Sequence, residues 1–259
     1  MKKLIIANWK MNPKTAREAS ALAQAVAKGA RRFARKVEVV LAPPFTFLVL
    51  PTIASVKAGG LSLKLGAQDV FWEREGAYTG EVSVAQLKSV GASYVIVGHS
   101  ERRAFSETNE MVHKKLLAVL KNGMYAVLCV GEQERKKETA FPPLVREELY
   151  EGLHGIPKPL LRRLIVVYEP VWAISGHGVG ADKPKDVFEM TILIRRELVR
   201  LIGKKRAMRT PILYGGSVDE KNSAQFVGEG RVDGLLVGGA SLRPKSFIGI
   251  VRSVSEMSK

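Results

Sequence analysis

The sequence predicts a single eight-stranded α/β barrel, (β/α)8, as the fold of the whole chain. Three observations predict it: eight short apolar runs, helical patterns between most of those runs, and a length of 259 residues. A barrel of this kind needs roughly 250 residues. Residues 1–259 are therefore expected to form one domain with almost nothing left over.

The eight apolar runs are rich in Val, Ile and Leu and carry little polar alternation. This pattern indicates strands buried on both faces, as in a parallel sheet. A content of 46% hydrophobic and only 7% aromatic residues fits an aliphatic core. The runs are residues 4–9, 37–42, 63–67, 94–97, 126–130, 164–168, 211–214 and 234–237.

Most segments between the runs have helical spacing. Residues 15–33 are Ala-rich with charges on one face, and residues 108–121 carry apolar side chains at helical intervals. Asn122-Gly123 ends the second pattern, and residues 186–202 repeat it and stop at Gly203. Because strand and helix alternate with no linker between them, a closed barrel is favoured over an open doubly wound sheet, which remains the alternative.

Composition also limits the location and the chemistry of the chain. The apolar stretch after Lys3 ends at Asn8, short of the ~7–15 apolar residues of a signal peptide, so secretion is not expected. No apolar run approaches the ~18 residues of a membrane span. The lone Cys129 cannot form an internal disulfide, which fits a reducing compartment. A cytoplasmic protein is expected.

The formal net charge of +16 is the unusual feature of the composition. The cations gather in residues 31–36, 135–137 and 195–209. Such a balance can indicate nucleic acid, an anionic surface or small anionic substrates as partners. Each cluster lies in or beside a helical pattern, and none is interleaved with aromatics. We interpret the clusters as solvated outer helix faces, with contact to nucleic acid or another polyanion as the alternative.

Polar residues follow the predicted strands at the end where a β/α barrel carries its active site. A carboxylate, an imidazole, an ammonium and several glycines on one rim suit acid–base chemistry on an anionic ligand. The rim residues are Asn8, Lys10, Gln68, His99, Ser100, Glu101, Glu132, Glu169, Gly215, Gly216, Ser217, Gly238 and Gly239.

Glu169 and His99 are the candidate acid–base residues. Glu169 precedes Pro170 and the Gly-rich residues 175–180, and such stretches often form lids that grip phosphate. A structural ion pair is the alternative for this carboxylate. His99 stands where a helix begins, and the positive end of the helix dipole disfavours the imidazolium. A neutral imidazole can donate to a carbonyl, whereas a surface histidine is the alternative.

Two glycine pairs follow the last two predicted strands, at residues 215–216 and 238–239. Barrels often bind phosphate at this place through loop N–H groups and a short helix. One pair alone is more often a tight turn. Two pairs after successive final strands indicate a phosphate site.

Together these segments resemble the triosephosphate isomerase family. The resemblance runs from the first strand to the last helix. It implies a TIM barrel that interconverts dihydroxyacetone phosphate and glyceraldehyde 3-phosphate through an enediol, with no metal and no organic cofactor. Five segments carry it: NWK at 8–10, VGHSERR at 97–103, YEPVWAI at 168–174, YGGS at 214–217 and VGGASL at 237–242.

The resemblance implies a role for each matched residue of the acid–base site. Glu169 would take a proton from the carbon next to the carbonyl and return it to the neighbouring carbon. His99, as a neutral electrophile, would donate to the substrate oxygens and shuttle their protons. Lys10 would stabilise developing negative charge, with Asn8 beside it and Glu101 positioning the ammonium.

The resemblance also implies the groups around the substrate's phosphate. Ser217, Gly238 and Gly239 would bind it through backbone N–H groups. Cys129 would pack near the site and would not be a nucleophile.

The lid departs from the family pattern. It reads AISGHGVGA at 173–181, one residue longer than the family's usual lid. The extra residue leaves open whether the N–H of Ser175 or of Gly176 meets the phosphate.

Residues 71–81 form a connection that is long for a barrel and carries two large aromatics. The segment resembles the family's loop that inserts into a neighbouring subunit, with Thr79 near that subunit's site. A homodimer or a larger homo-oligomer is expected. Asp69 stands where the family usually has Asn, which bears on the details of that contact.

Two other functions remain as alternatives. An epimerase of a pentose phosphate shares the architecture but typically needs paired Asp and His metal ligands, and His99 is the one histidine at a strand end. A basic barrel that binds nucleic acid is the second. Since the matched catalytic set is complete, an active enzyme is favoured and nucleic acid is not expected as a partner.

Overall fold

The computed structural model describes residues 2–50, 63–134, 141–174 and 182–257. Eight parallel strands pair in chain order, and the last closes on the first. This confirms the predicted barrel over the open sheet. The strands are β1 (Lys3–Asn8), β2 (Val37–Ala42), β3 (Leu63–Ala67), β4 (Ala92–Val97), β5 (Tyr125–Val130), β6 (Leu164–Tyr168), β7 (Ile212–Tyr214) and β8 (Gly234–Val237).

The predicted runs match these strands within two residues at each end. The largest difference is at β4, which begins at Ala92 and not at residue 94. Alternate side chains fill the barrel, and an aliphatic inner cluster results. It includes Leu4, Ile6, Val40, Ala42, Ile96, Val127, Ile165, Val167, Leu213 and Leu236.

Two tyrosines close the barrel at the amino ends of its strands. The ring of Tyr94 stacks on that of Tyr125 with centroids 4.7 Å apart. The Tyr94 hydroxyl also donates to the carboxylate of Glu38 on β2. The interior is thus a packed core and not a pore.

Helices surround the barrel and bury its outer surface. Within the described residues they are α1 (Ala16–Ala30), α2 (Val84–Ser89), α3 (Ser100–Ala104), α4 (Asn109–Lys121), α5 (Pro143–Leu153), α6 (Pro184–Ile202), α7 (Lys204–Ala207), α8 (Ser223–Gly228) and α9 (Pro244–Met257). No helix in the described part of the chain is long and apolar enough to cross a membrane.

Local signals set the helix ends. Thr15 caps α1 by accepting from the N–H of Glu18, whose side chain accepts from the N–H of Thr15. Gly203, with φ 84°, ends α6 at the predicted residue. Helix α1 ends earlier than predicted, because Arg31–Phe33 tightens into a 3₁₀ turn.

Candidate active site

The carboxyl ends of the strands surround a cavity of about 200 Å³. Most of the predicted rim residues line it, although they come from five different connections. Its lining includes Asn8, Lys10, His99, Glu169, Gly215, Gly216, Gly238 and Gly239. The closed barrel therefore brings together a carboxylate, an imidazole, an ammonium and two glycine pairs.

Glu169 directly follows β6, and only 3% of its surface is exposed. The Ser100 hydroxyl donates to one carboxylate oxygen at 3.0 Å, and the Ser100 backbone N–H donates to the other at 3.2 Å. His99 Nε2 lies 3.0 Å from the first oxygen. Three donors therefore hold the carboxylate.

Neighbouring backbone fixes Glu169 as well. Its N–H donates to the Val130 carbonyl at 2.8 Å, one residue beyond the ladder between β5 and β6. A Cβ atom at Gly131 would lie 1.9 Å from the Glu169 carbonyl oxygen. Only glycine allows the two connections to approach this closely.

Opposing influences act on the pKa of Glu169. Burial, the largest, raises the pKa, but His99 and the two Ser100 hydrogen bonds outweigh it. The pKa is therefore lower than usual for a glutamate. The carboxylate is ionised at neutral pH, as a general base must be.

His99 is the N-cap residue of α3. The backbone N–H of Glu101 donates to Nδ1 at 3.1 Å. A ring nitrogen that accepts a hydrogen bond carries no hydrogen, so this contact assigns the proton of the neutral ring to Nε2. Nε2 is the nitrogen that faces the cavity and Glu169.

The pKa of His99 depends on the charge of Glu169. Burial, the largest influence, lowers this pKa, and Lys10 lowers it further. The Glu169 carboxylate more than offsets both, so the pKa lies above the ordinary histidine value. Protonation of Glu169 removes that opposing influence, after which burial and Lys10 favour the neutral imidazole.

Lys10 has a left-handed backbone, with φ 52°. Such a conformation costs a non-glycine residue roughly 1–3 kcal/mol and is often found at functional sites. Its N–H donates to Asn8 Oδ1 at 3.0 Å, and its Nζ lies 2.7 Å from Glu101 Oε1. The side chain also passes close to Gly238, where a Cβ would lie 3.4 Å from Lys10 Cε.

Gln68 anchors this strained segment, a role that the sequence analysis did not assign. Its Nε2 donates to the Lys10 carbonyl at 2.9 Å and to the Ala42 carbonyl at 2.8 Å. The amide therefore ties the connections after β1 and β2 to its own position after β3. The signal in the sequence was its place directly after a strand.

Glu132 is the second supporting residue without a predicted role. Its buried carboxylate accepts from the Tyr168 hydroxyl at 2.8 Å and from Trp172 Nε1 at 3.1 Å. The Val171 N–H donates to its carbonyl at 3.0 Å. These contacts fix the backbone on both sides of Glu169.

The glycine pair after β8 leads into a 3₁₀ turn, Gly239–Leu242. The first N–H groups of such a turn have no partner within it and are available to an anion. The N–H of Ser217 is engaged differently, because it donates to the Ala173 carbonyl at 2.9 Å. Ser217 could donate to a phosphate only after that bond opens.

Cys129 is buried in the barrel interior, and burial raises the pKa of its thiol well above the usual value. A buried thiol with a raised pKa stays protonated at neutral pH and is a poor nucleophile. Thr79 is exposed on the long connection after β3. Ser175 and Gly176, the predicted lid donors, lie outside the described residues.

Within the described part of the chain, no group of three or more His, Cys, Asp or Glu side chains could hold a metal ion. The site's ionisable groups are instead arranged as proton donors and acceptors. A cavity with one buried base, one Nε2–H imidazole and one lysine suits proton transfer next to a carbonyl.

Comparison with known proteins tests the resemblance directly. The family model described as triosephosphate isomerase matches residues 3–254. The triosephosphate isomerase of Citrifermentans bemidjiense is 45% identical, with 97% of this chain and 99% of the relative covered. That of Dictyoglomus turgidum is 42% identical over the same shares. That of Aquifex aeolicus is 41% identical, with 98% and 100% covered.

These matches confirm the resemblance inferred from the five sequence segments. They extend over nearly all of the barrel as well as the rim. Because a family model and several relatives above 40% identity cover almost the entire chain, the chain belongs to the triosephosphate isomerase family.

Proposed function

We propose that Glu169 and His99 carry out the chain's interconversion of dihydroxyacetone phosphate and glyceraldehyde 3-phosphate. Glu169 is the base and neutral His99 is the electrophile. The observation that carries this assignment is the contact of 3.0 Å between Glu169 Oε1 and His99 Nε2 within one buried cavity. A substrate can lie between the two groups once this direct contact opens, and it then meets a proton acceptor on one side and a proton donor on the other.

The proton transfers balance without any further reactant. Glu169 removes a proton from the carbon next to the carbonyl, and the electron pair moves to the carbonyl oxygen. That oxygen takes the proton of His99 Nε2, and the resulting ring takes a proton from the neighbouring hydroxyl. Glu169 then returns its proton to the neighbouring carbon, and both residues end as they began.

The low pKa of Glu169 and the variable pKa of His99 support this sequence of steps. Glu169 is ionised before the reaction and becomes protonated during it. At that stage the influence that raises the pKa of His99 is gone, and a neutral imidazole is favoured. The protonation state of Glu169 thus helps to set the protonation state of His99.

Lys10 stabilises the negative charge that develops on the substrate oxygens. Its ammonium is held 2.7 Å from Glu101 Oε1, and its backbone is fixed by Asn8 and Gln68. A charge that is already oriented needs little reorganisation during the reaction. Asn8 lies beside it and contacts the substrate.

The phosphate binds to backbone N–H groups of Gly238, Gly239 and Ser217. The 3₁₀ turn after β8 leaves its first N–H groups available, which supports the roles of Gly238 and Gly239. The N–H of Ser217 can bind phosphate only after its hydrogen bond to the Ala173 carbonyl opens. An N–H of Ser175 or of Gly176 completes the site.

A homodimer or larger homo-oligomer in the cytoplasm is also proposed. Exposed apolar side chains on three connections at the carboxyl end support the association: Met11 is 92% exposed, Tyr78 44% and Phe45 39%. Phe71 packs on Tyr78 with ring centroids 4.7 Å apart, so the connection that carries Thr79 is ordered for insertion. Light scattering tests the assembly, and a stable, fully active monomer contradicts it.

Glu169→Gln tests the assignment of the base in a coupled assay with glyceraldehyde 3-phosphate. The amide keeps the shape but cannot accept the proton, so kcat should fall by at least ~10²-fold, whereas KM should change far less. Glu134→Gln is the matched control, since Glu134 is an exposed carboxylate that also follows a strand. Activity of Glu169→Gln near that of the control contradicts the assignment.

Exhaustive chelation separates the isomerase from the epimerase-like alternative. Lys10 and His99 supply the charge stabilisation, so activity should be the same before and after chelation. A loss of activity that zinc or magnesium restores would favour the metal-dependent alternative.

A further inference from the structure

Charge is divided very unequally between the two ends of the barrel. The connections that run from helix to strand, with the short helices inside them, lie at the amino end of the barrel. Their described residues include only two carboxylates, Glu229 and Asp233. They include thirteen cations: Lys2, Arg31, Arg32, Arg35, Lys36, Lys158, Arg162, Arg163, Lys204, Lys205, Arg206, Arg209 and Arg231.

This arrangement corrects in part the interpretation of the sequence clusters as outer helix faces. Arg196 and Arg200 of the cluster at residues 195–209 are exposed on α6, as predicted. The cations of residues 31–36 follow the end of α1, and those of residues 204–209 follow the end of α6. They therefore lie in connections at one end of the barrel. The third cluster, residues 135–137, lies outside the described residues.

The opposite end has the opposite balance. The strand-to-helix connections around the cavity, counted in the same way over the described residues, hold eight cations and twelve carboxylates. A positive field that attracts a phosphorylated substrate would have to surround the cavity. The excess of positive charge at the amino end is therefore not placed to attract the substrate into the cavity.

The amino-end cations lie on adjoining connections, and we call these thirteen residues the basic arc. They belong to the connections that lead into β6, β7, β8, β1 and β2, which are successive neighbours in the closed barrel. Backbone hydrogen bonds join these connections. Lys3 N donates to Lys36 O at 3.0 Å, Leu4 N to Asp233 O at 3.1 Å, and Asp233 N to Ile212 O at 2.8 Å.

The charges of the basic arc are available to a partner. Eleven of the thirteen side chains are exposed, with Arg163 and Arg206 half-buried. None of the thirteen lies within 4.0 Å of a carboxylate oxygen among the described residues. Arg195 holds the connection after α6 in place by donating to the carbonyls of Ala207 and Thr210. The cations of residues 204–209 thus lie on a connection whose backbone is fixed.

Helix dipoles explain only part of this arrangement. All the long helices point their negative ends to the amino end of the barrel, and one cation in a last turn is stabilised there. That effect falls off beyond the last turn. Residues 31–36 and 204–209 each place four cations after the helix has ended. Helix dipoles therefore do not explain the excess of positive charge at the amino end.

The chemistry of the basic arc favours the binding of phosphodiesters over the binding of a membrane surface or of unpaired nucleic-acid bases. Eight of the thirteen cations are arginines, whose planar fork matches phosphate oxygens. A membrane-binding surface would need apolar anchors, but Met208 is the one large exposed apolar side chain within the described connections of the arc. No exposed aromatic side chain lies there to stack on an unpaired base.

We propose that the basic arc binds the phosphate backbone of duplex nucleic acid without reading its base sequence. The surface lies opposite the catalytic cavity, so binding and isomerisation use separate ends of the barrel. The affinity comes from displaced counterions and therefore falls steeply with salt.

Fluorescence anisotropy with labelled 20-base-pair duplexes of two unrelated sequences tests the proposal. Between about 50 and 200 mM KCl, a contact with five or more phosphates gives a slope of log K against log salt of about −4.5 or steeper. The two sequences should bind equally well. Lys204→Glu/Lys205→Glu/Arg209→Glu should bind at least ~10-fold more weakly at 100 mM salt, with a slope shallower by about 3.

The matched control is Arg17→Glu/Lys221→Glu/Lys245→Glu. It makes the same change in net charge with exposed residues at the carboxyl end. At 100 mM salt the screening length is only about 10 Å, so this variant should bind within ~3-fold of the unmodified chain. Isomerase activity of the arc variant should persist, which shows that it is folded.

Three results overturn the proposal. One is no binding of either duplex at 50 mM salt. Another is an equal loss of binding in the arc variant and the control, which would show that net charge alone matters. The third is tighter binding to phosphatidylglycerol vesicles or to polyglutamate than to the duplexes, which would assign the arc to a different partner.

Discussion

Lys115 is a charged side chain buried between two carboxylates, and its replacement by methionine measures how strongly that cluster stabilises the fold. Only 2% of Lys115 is exposed. Its Nζ lies 2.7 Å from Asp69 Oδ1 and also contacts Glu107 Oε1. Arg102 Nε pairs with the other oxygen of Asp69 at 2.9 Å.

The expected loss follows from what remains after the replacement. Asp69 keeps Arg102, but Glu107 stays buried without a cation, and its Oε2 already has no hydrogen-bond partner among the described residues. Removing one partner of a buried pair costs about 3–5 kcal/mol. For a domain of this size, Lys115→Met should lower Tm by roughly 6–20 °C.

Lys114→Met is the matched control. Lys114 is the preceding residue of α4, and it pairs with Glu110 at 2.6 Å on the surface. Its ammonium also lies 5.4 Å from the Trp72 ring centroid. Exposed contacts of these kinds contribute about 1 kcal/mol or less.

Urea unfolding at pH 7 and one fixed protein concentration compares the two variants. A fixed concentration is needed because association would add to the apparent stability. Lys115→Met/Glu107→Gln should recover part of the loss, since it removes the uncompensated charge. If Lys115→Met loses no more stability than Lys114→Met, the account of the buried cluster is wrong.

Two further predictions concern buried carboxylates. Ser100→Ala removes a hydrogen bond that lowers the pKa of Glu169, so a ¹³C NMR titration should find this carboxyl titrating at higher pH than in the unmodified chain. Ser100→Thr keeps the hydroxyl and should keep the lowered pKa of the unmodified chain. An unchanged titration in the alanine variant counts against the assigned contact. Burial raises the pKa of Glu148 to about 7 despite Arg103 nearby. The stabilisation by protonated Glu148 is complete below the unfolded pKa of about 4.3 and is lost as pH rises through 7. Between those pH values, urea unfolding should show that the unmodified chain loses roughly 2–4 kcal/mol more unfolding free energy than Glu148→Gln. Parallel pH profiles of the two proteins would contradict this.

The strands could be predicted from the sequence because each one needs its own continuous apolar run. Residues 164–168 illustrate this, since all five are buried in β6. The end of α1 was harder to predict. The Ala-rich pattern continues to residue 33, but the chain tightens at Arg31 before it turns into β2.

The site could be predicted only in part, because contacts between distant residues depend on the closure of the barrel. His99 at a helix start and Glu169 at a strand end are local features. The bond from Ser100 to Glu169 spans 69 residues, and that from Gln68 to Lys10 spans 58. Neither leaves a local pattern. The basic arc was missed for the same reason, because its connections become neighbours only when β8 meets β1.

The stacked pair Tyr94 and Tyr125 closes the amino end of the barrel, so in the described structure the catalytic cavity opens at the carboxyl end. A triose phosphate must leave by the opening through which the next one arrives, so exchange at the cavity is sequential. A macromolecule resting against the closed floor leaves that opening unobstructed. Such an occupant can tether the enzyme in place while turnover continues, and saturating amounts of it should leave kcat/KM unchanged.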